Sequence, residues 1–174
     1  MSILGSIRID HTIIRELLEE LVALDPADDY RFVLLEQLEH LILPHSRSEE
    51  VILYNSIRAL KSDTSEVIES YHEHAEIDAY LRALQVKEDT DLEWKETAEL
   101  LQSKIVGHID NEEDVIFKDA HLLFNSDELD AMGMAFEELK NKYETDGVVR
   151  TSADLIVNLL PPHLFERIRD LKSP

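Results

Sequence analysis

Leu101-Gln102-Ser103-Lys104-Ile105-Val106-Gly107-His108-Ile109-Asp110-Asn111-Glu112-Glu113-Asp114-Val115-Ile116 is the stretch whose reading decides the fold. Leu101, Ile105, His108, Glu112 and Ile116 recur at intervals of three and four, which places them on one face of an α-helix. A strand would need alternation, and there is none. Within this apolar stripe, His108 and Glu112 lie one turn apart. The helix therefore carries a nitrogen donor and an oxygen donor on the face that it must bury. His45-Ser46-Arg47-Ser48-Glu49 repeats the arrangement on a stripe of Phe32, Leu35, Leu38, Ile42, Ile52 and Leu53.

Working outward, the same period marks five helical segments. The first is expected from Ser6 to Leu24, with Ile7, His11, Ile14, Leu18 and Leu21 inward, until Asp25-Pro26 breaks it. Pro26 suits the first turn of the next helix. The second segment runs to Leu60, and Pro44 inside it lacks the amide that a helix interior needs, so a kink or break is expected there. Asp63-Thr64-Ser65-Glu66 and Thr90-Asp91-Leu92-Glu93 resemble capping boxes opening a third and a fourth segment. These run to about Leu84 and Asp119. A fifth segment follows Ser126, with Leu129, Met132, Phe136 and Leu139 as its stripe. Short connections make neighbours antiparallel. The expectation is an all-α protein: an up-down-up-down four-helix bundle over 1–145 with an additional C-terminal helix. Residues 146–174 should form an appendage packed on the bundle, its apolar run Leu155 to Leu160 stopped by Pro161-Pro162.

Composition agrees with one globular domain. Of 174 residues, 44% are hydrophobic and 32% charged, and four glycines and five prolines are too few for an all-β fold. Cysteine is absent, which excludes disulfides, thiolate metal sites and iron–sulfur clusters. The net charge of -21 argues against nucleic acid as a partner. Its plainest meaning is a solvated helical surface; a sharper one is a field that attracts cations. No run is long enough to span a membrane and no secretory signal is visible, so a cytoplasmic address is expected.

The first four helices each carry one inward histidine: His11, His45, His74 and His108. Counted from the turns at about 1.5 Å per residue, all four fall within roughly one helical turn of a common layer. A lone inward histidine is usually a satisfied core residue. Four in one layer with inward Glu49 and Glu112 are another matter, because buried carboxylates need partners or a metal. On the third helix, Tyr71, His74, Asp78 and Leu81 share the inner face. His72 therefore points elsewhere. His40, His121 and His163 lack partner spacing and belong to the surface or an edge.

Asp10-His11, His45-x-x-x-Glu49-Glu50, Glu73-His74-x-x-Ile77-Asp78 and His108-x-x-x-Glu112-Glu113 together resemble the hemerythrin family in its HHE cation-binding form, over about residues 7 to 120. The resemblance implies a non-haem di-iron centre with an oxo or hydroxo bridge. It makes Glu49 and Glu112 the bridging carboxylates, with His11, His45, His74 and His108 as terminal ligands. Oxygen-carrying hemerythrins place a fifth histidine where this chain has Asp78, which either substitutes for that ligand or orients another. The same donors suit manganese or zinc, so iron rests on the resemblance. The function expected is binding or sensing of oxygen, nitric oxide or iron, with a small diatomic or peroxide ligand. A di-iron oxidase or peroxidase, and a regulatory interaction protein folded by its metal, are the alternatives. A ferritin-type site needs two Glu-x-x-His motifs, and Glu69-Ser70-Tyr71-His72 supplies one.

Overall fold

Ser2 starts the first helix: its hydroxyl accepts the Gly5 amide, and α1 runs Ile3–Ala23. The computed structural model describes residues 1–86 and 91–146, and among these there is no strand. The remaining helices are α2 (Tyr30–Glu49), α3 (Asn55–Leu60), α4 (Ser65–Val86), α5 (Asp91–Asn111), α6 (Phe117–Leu123) and α7 (Ser126–Asp146). Two π-helical segments, Glu50–Tyr54 and Glu112–Ile116, join α2 to α3 and α5 to α6, so each pair forms one continuous rod.

The start of α1 lies three residues earlier than expected because Ser2 is its cap and Gly5 is tolerated in its first turn. Pro26 does not open α2. It sits in a turn in which Asp25 Oδ1 accepts the Ala27 amide and Asp28 Oδ1 accepts the Tyr30 amide, both at 2.9 Å. Nor does Pro44 break α2, which stays α-helical through it. The carbonyl left without a donor belongs to exposed His40, where water can reach it. The irregularity falls instead at the π segment a turn later. Phe32, expected inward, is exposed, and Leu34 takes its place in the core. Asp63 accepts the Ser65 amide at the start of α4. Asn125 and Glu128 form a reciprocal cap at the start of α7 that the sequence reading did not single out. Thr90 and the appendage beyond Asp146, with His163, lie outside the described residues.

The four long rods form a ring in which α1 packs on α2 and α5, and α4 on α2 and α5. Side-chain pairs show the antiparallel sense. Arg8 meets Glu113 while Arg15 meets Asp110, and Glu73 meets His108 while Glu76 meets Lys104. Helix α7 lies across α1 and α2 as a fifth rod. It approaches so closely that a Cβ at Gly133 would clash with the Met1 carbonyl oxygen and lie 2.8 Å from the Ile3 amide nitrogen.

The apolar core is in two parts. One holds Ile14, Leu18, Leu38, Ile42, Ile77, Leu81, Leu101 and Ile105; the other holds Ile7, Leu53, Tyr54, Val67, Ile116, Phe117 and Phe136. In sequence, three of the inward histidines fall between the two sets, His11 between Ile7 and Ile14, His45 between Ile42 and Leu53, His74 between Val67 and Ile77, and His108 lies at the end of the first set, beside Ile109. The bundle is thus two hydrophobic blocks separated by one polar layer. No described helix is long and apolar enough to cross a membrane.

Candidate metal centre

The polar layer holds His11, His45, Glu49, His74, His108 and Glu112, all at most 5% exposed. Burying six ionisable side chains is costly unless each is compensated. Each histidine is compensated on its outer side by a carboxylate. His45 Nδ1 lies 3.0 Å from Asp10, His74 Nδ1 3.0 Å from Glu50, His108 Nδ1 2.8 Å from Glu73, and His11 Nδ1 2.9 Å from Glu113. These carboxylates form a closed circuit around the bundle. Asp10 on α1 serves α2, Glu50 after α2 serves α4, Glu73 on α4 serves α5, and Glu113 after α5 serves α1. Each accepts an Nδ1–H, which fixes the ring orientation and turns Nε2 toward the centre.

At the centre the Nε2 atoms meet the glutamates. Glu49 Oε1 is 3.0 Å from His45 Nε2 and 3.9 Å from His11 Nε2, and Glu49 Oε2 is 3.5 Å from His74 Nε2. Glu112 Oε2 is 3.2 Å from His11 Nε2. Two groups result, His11–His45–Glu49 and Glu49–His74–His108, each with ligand atoms within 4.8 Å of one another. Glu49 belongs to both, one carboxylate spanning two clusters. Of the eight buried side-chain atoms without a well-formed hydrogen bond among the described residues, four lie here, held only by these ion-pair contacts: His11 Nε2, both oxygens of Glu49, and Glu112 Oε2. Orphaned donors and acceptors are rare in folded proteins, and these four face one another in one volume.

The electrostatics express the same strain. Burial opposes charge on His45, but Glu49 and Asp10 outweigh it and raise its pKa to about 10. Burial and neighbouring His108 push His74 down to about 3. The two rings meet Nε2 to Nε2 at 3.0 Å, an arrangement in which they cannot both keep a proton between them. Burial opposes ionisation of Glu112, yet the surrounding histidines, His11 first, pull it down to about 2.

Tyr54 was missed by the sequence reading. It is wholly buried, stacks on His74 at 5.6 Å, and donates its hydroxyl to Glu112 Oε1 at 2.9 Å. Tyr71, considered as a pocket residue, instead sits half-buried behind Tyr54 and donates to the Glu50 carbonyl. Asp78 is not among the clustered donors. It pairs with Arg47, which also holds Glu50 at 2.6 Å, so it reaches His74 only through two intermediaries. His72, His40 and His121 are exposed. On the side of the layer toward Ile14, Ile42, Ile77 and Ile105, a cavity of about 20 Å³ touches His45, His74 and His108. That is room for one water-sized molecule.

A helical bundle with a buried layer of histidine and carboxylate donors defines a metal-binding class of protein. Residues 2–120 match the hemerythrin HHE cation binding domain, and the chain belongs to that family. Among solved structures it is similar to a hemerythrin HHE cation binding domain-containing protein from Mycobacterium kansasii. The identity is 17%, the match covers 87% of this chain and 97% of that one, and the TM-score is 0.69. At that identity the likeness establishes the fold. No curated protein matches the chain.

Proposed function

We propose that this protein is a non-haem di-iron protein that binds or senses a small ligand such as oxygen, nitric oxide or peroxide, or iron itself. His11, His45, His74 and His108 would hold the metals as terminal ligands, and Glu49 and Glu112 would serve as the bridging carboxylates. The observation that carries the reading is the set of buried atoms on Glu49, Glu112 and His11 that face one another without a well-formed hydrogen bond. Cations placed there would satisfy all of them at once. The donor set fits: imidazole nitrogens and carboxylate oxygens without thiolate suit iron, manganese or zinc. Six side chains exceed what one tetrahedral zinc needs.

When bound, an iron pair supplies redox chemistry and an open coordination position. The protein's own residues do the rest. Asp10, Glu50, Glu73 and Glu113 hold each histidine with Nε2 inward. The isoleucines around the small cavity exclude bulk water and limit a guest to a few atoms. Elemental analysis after anaerobic iron(II) loading, with optical spectra before and after oxygen, tests the proposal. About two equivalents of iron and a new absorption band on exposure are expected; a stoichiometry of zero would reject it.

A further inference from the structure

Three of the four outer carboxylates have a cation paired behind them. Glu113 is backed by Arg8 at 3.3 Å and Glu50 by Arg47 at 2.6 Å, both cations lying on rods of the bundle. Asp10 is backed differently. Its cation, Lys140, comes from α7, beyond the residues that match the family model. Lys140 Nζ lies 2.8 and 2.9 Å from the two Asp10 oxygens, and its side chain is only 12% exposed. It also lies 3.3 Å from Glu137.

If α7 needed only to adhere, an apolar side chain here would be cheaper than a largely buried ammonium. Adhesion is already supplied by Phe136, wholly buried and edge-on to the His45 ring at 6.0 Å. Lys140 in turn lies over the Phe136 ring at 5.3 Å. One face of α7 therefore addresses one histidine twice, by ring contact and through Asp10.

We propose that α7 is a working wall of the metal centre, in which Lys140 is a positioning residue: it clamps Asp10 against His45 and so sets the metal affinity of the His11–His45–Glu49 half. The proposal rests on the metal-centre reading above. Without the ammonium, the Asp10 carboxylate loses the partner that grips both of its oxygens and is free to turn away from His45. His45 then loses the acceptor that keeps Nε2 inward. Outer partners of metal-bound histidines typically change affinity by about 10- to 100-fold.

The test is stepwise cobalt(II) titration of the full chain, followed by visible absorbance, for wild type, Lys140→Met, Lys140→Arg, Asp10→Asn and the double variant Asp10→Asn/Lys140→Met. Lys140→Met should weaken one of two equivalents about 10- to 100-fold and leave the other unchanged. Lys140→Arg, which keeps the charge, should restore most of the affinity. Because Lys140 acts through Asp10, the double variant should bind no more weakly than Asp10→Asn alone. That pair also carries no unpaired buried charge and remains readable if Lys140→Met does not fold. The proposal is overturned if Lys140→Met binds both equivalents like wild type, or if its effect persists undiminished in the Asp10→Asn background. A wild-type chain that binds no metal would instead bring down the underlying metal-centre reading.

Discussion

Tyr54→Phe isolates how the metal-free and metal-loaded proteins share one buried carboxylate. The Tyr54 hydroxyl donates to Glu112 Oε1, whereas Glu112 Oε2 has only the His11 ring, 3.2 Å away. Phenylalanine keeps the ring, its stacking on His74 and its packing, and removes one oxygen. In the metal-free protein Glu112 then keeps only its contact with the His11 ring, at zero exposure. Losing a hydrogen bond to a charged acceptor there should cost about 2 kcal/mol. For a chain of this size that lowers the melting temperature by roughly 4–8 °C. In the loaded protein the metal ions serve the same oxygens, so the loss should fall to about 1 kcal/mol, that of an ordinary net hydrogen bond. The rise in melting temperature on loading should therefore be larger in the variant than in wild type. Calorimetry or thermal circular dichroism on both forms, with and without iron(II), measures all four values. An equal loss in both states would mean that Glu112 does not exchange its tyrosine for a metal, and the reasoning would fail.

Glu49→Ala and Glu112→Ala should each cut bound metal well below wild type, whereas His72→Ala, at an exposed position, should bind as wild type does; elemental analysis decides. Gly133→Ala should cost about 1–3 kcal/mol because its Cβ meets Met1 and Ile3 backbone, and hydrogen exchange should show the start of α1 loosened. Gly107→Ala, where a Cβ meets nothing within 4 Å, should instead gain roughly 0.5–1 kcal/mol in a denaturant melt. The pH dependence follows from His45, raised from 6.5 to about 10. In the metal-free fold its stabilising charge is complete below pH 6.5 and lost as pH rises through about 10, which denaturation at stepped pH would reveal. Metal must displace that proton, so loading at neutral pH should release it to a weak buffer, and apparent affinity should fall as pH falls.

The bundle was legible because every rod carries apolar residues at helical spacing, and because the inward histidines interrupt each stripe at matching heights. The details that escaped depend on geometry rather than residue type. An i→i+5 bond has no signature in composition, so Glu50–Tyr54 and Glu112–Ile116 read as ordinary helix, although both abut the central glutamates. Asp10, Glu50, Glu73 and Glu113 were in view as neighbours of the ligands. Their cross-helix pairing, each serving the next rod, could not be read from one strand of text. The signal that could have found them is adjacency: each outer carboxylate stands next to an inward residue. Asp78 shares a helical face with His74, yet Arg47 claims it, and only side-chain placement reveals that. Tyr54 was passed over because the π segment shifts the face it would occupy in a regular helix.

Crystals grown from iron(II)-loaded protein and measured at the iron absorption edge test the central claim most directly. The account predicts two anomalous peaks, one among His11, His45 and Glu49 and one among Glu49, His74 and His108, with Glu49 touching both. The absence of any peak in the histidine layer, or one held instead by His72 or Asp78, would contradict it.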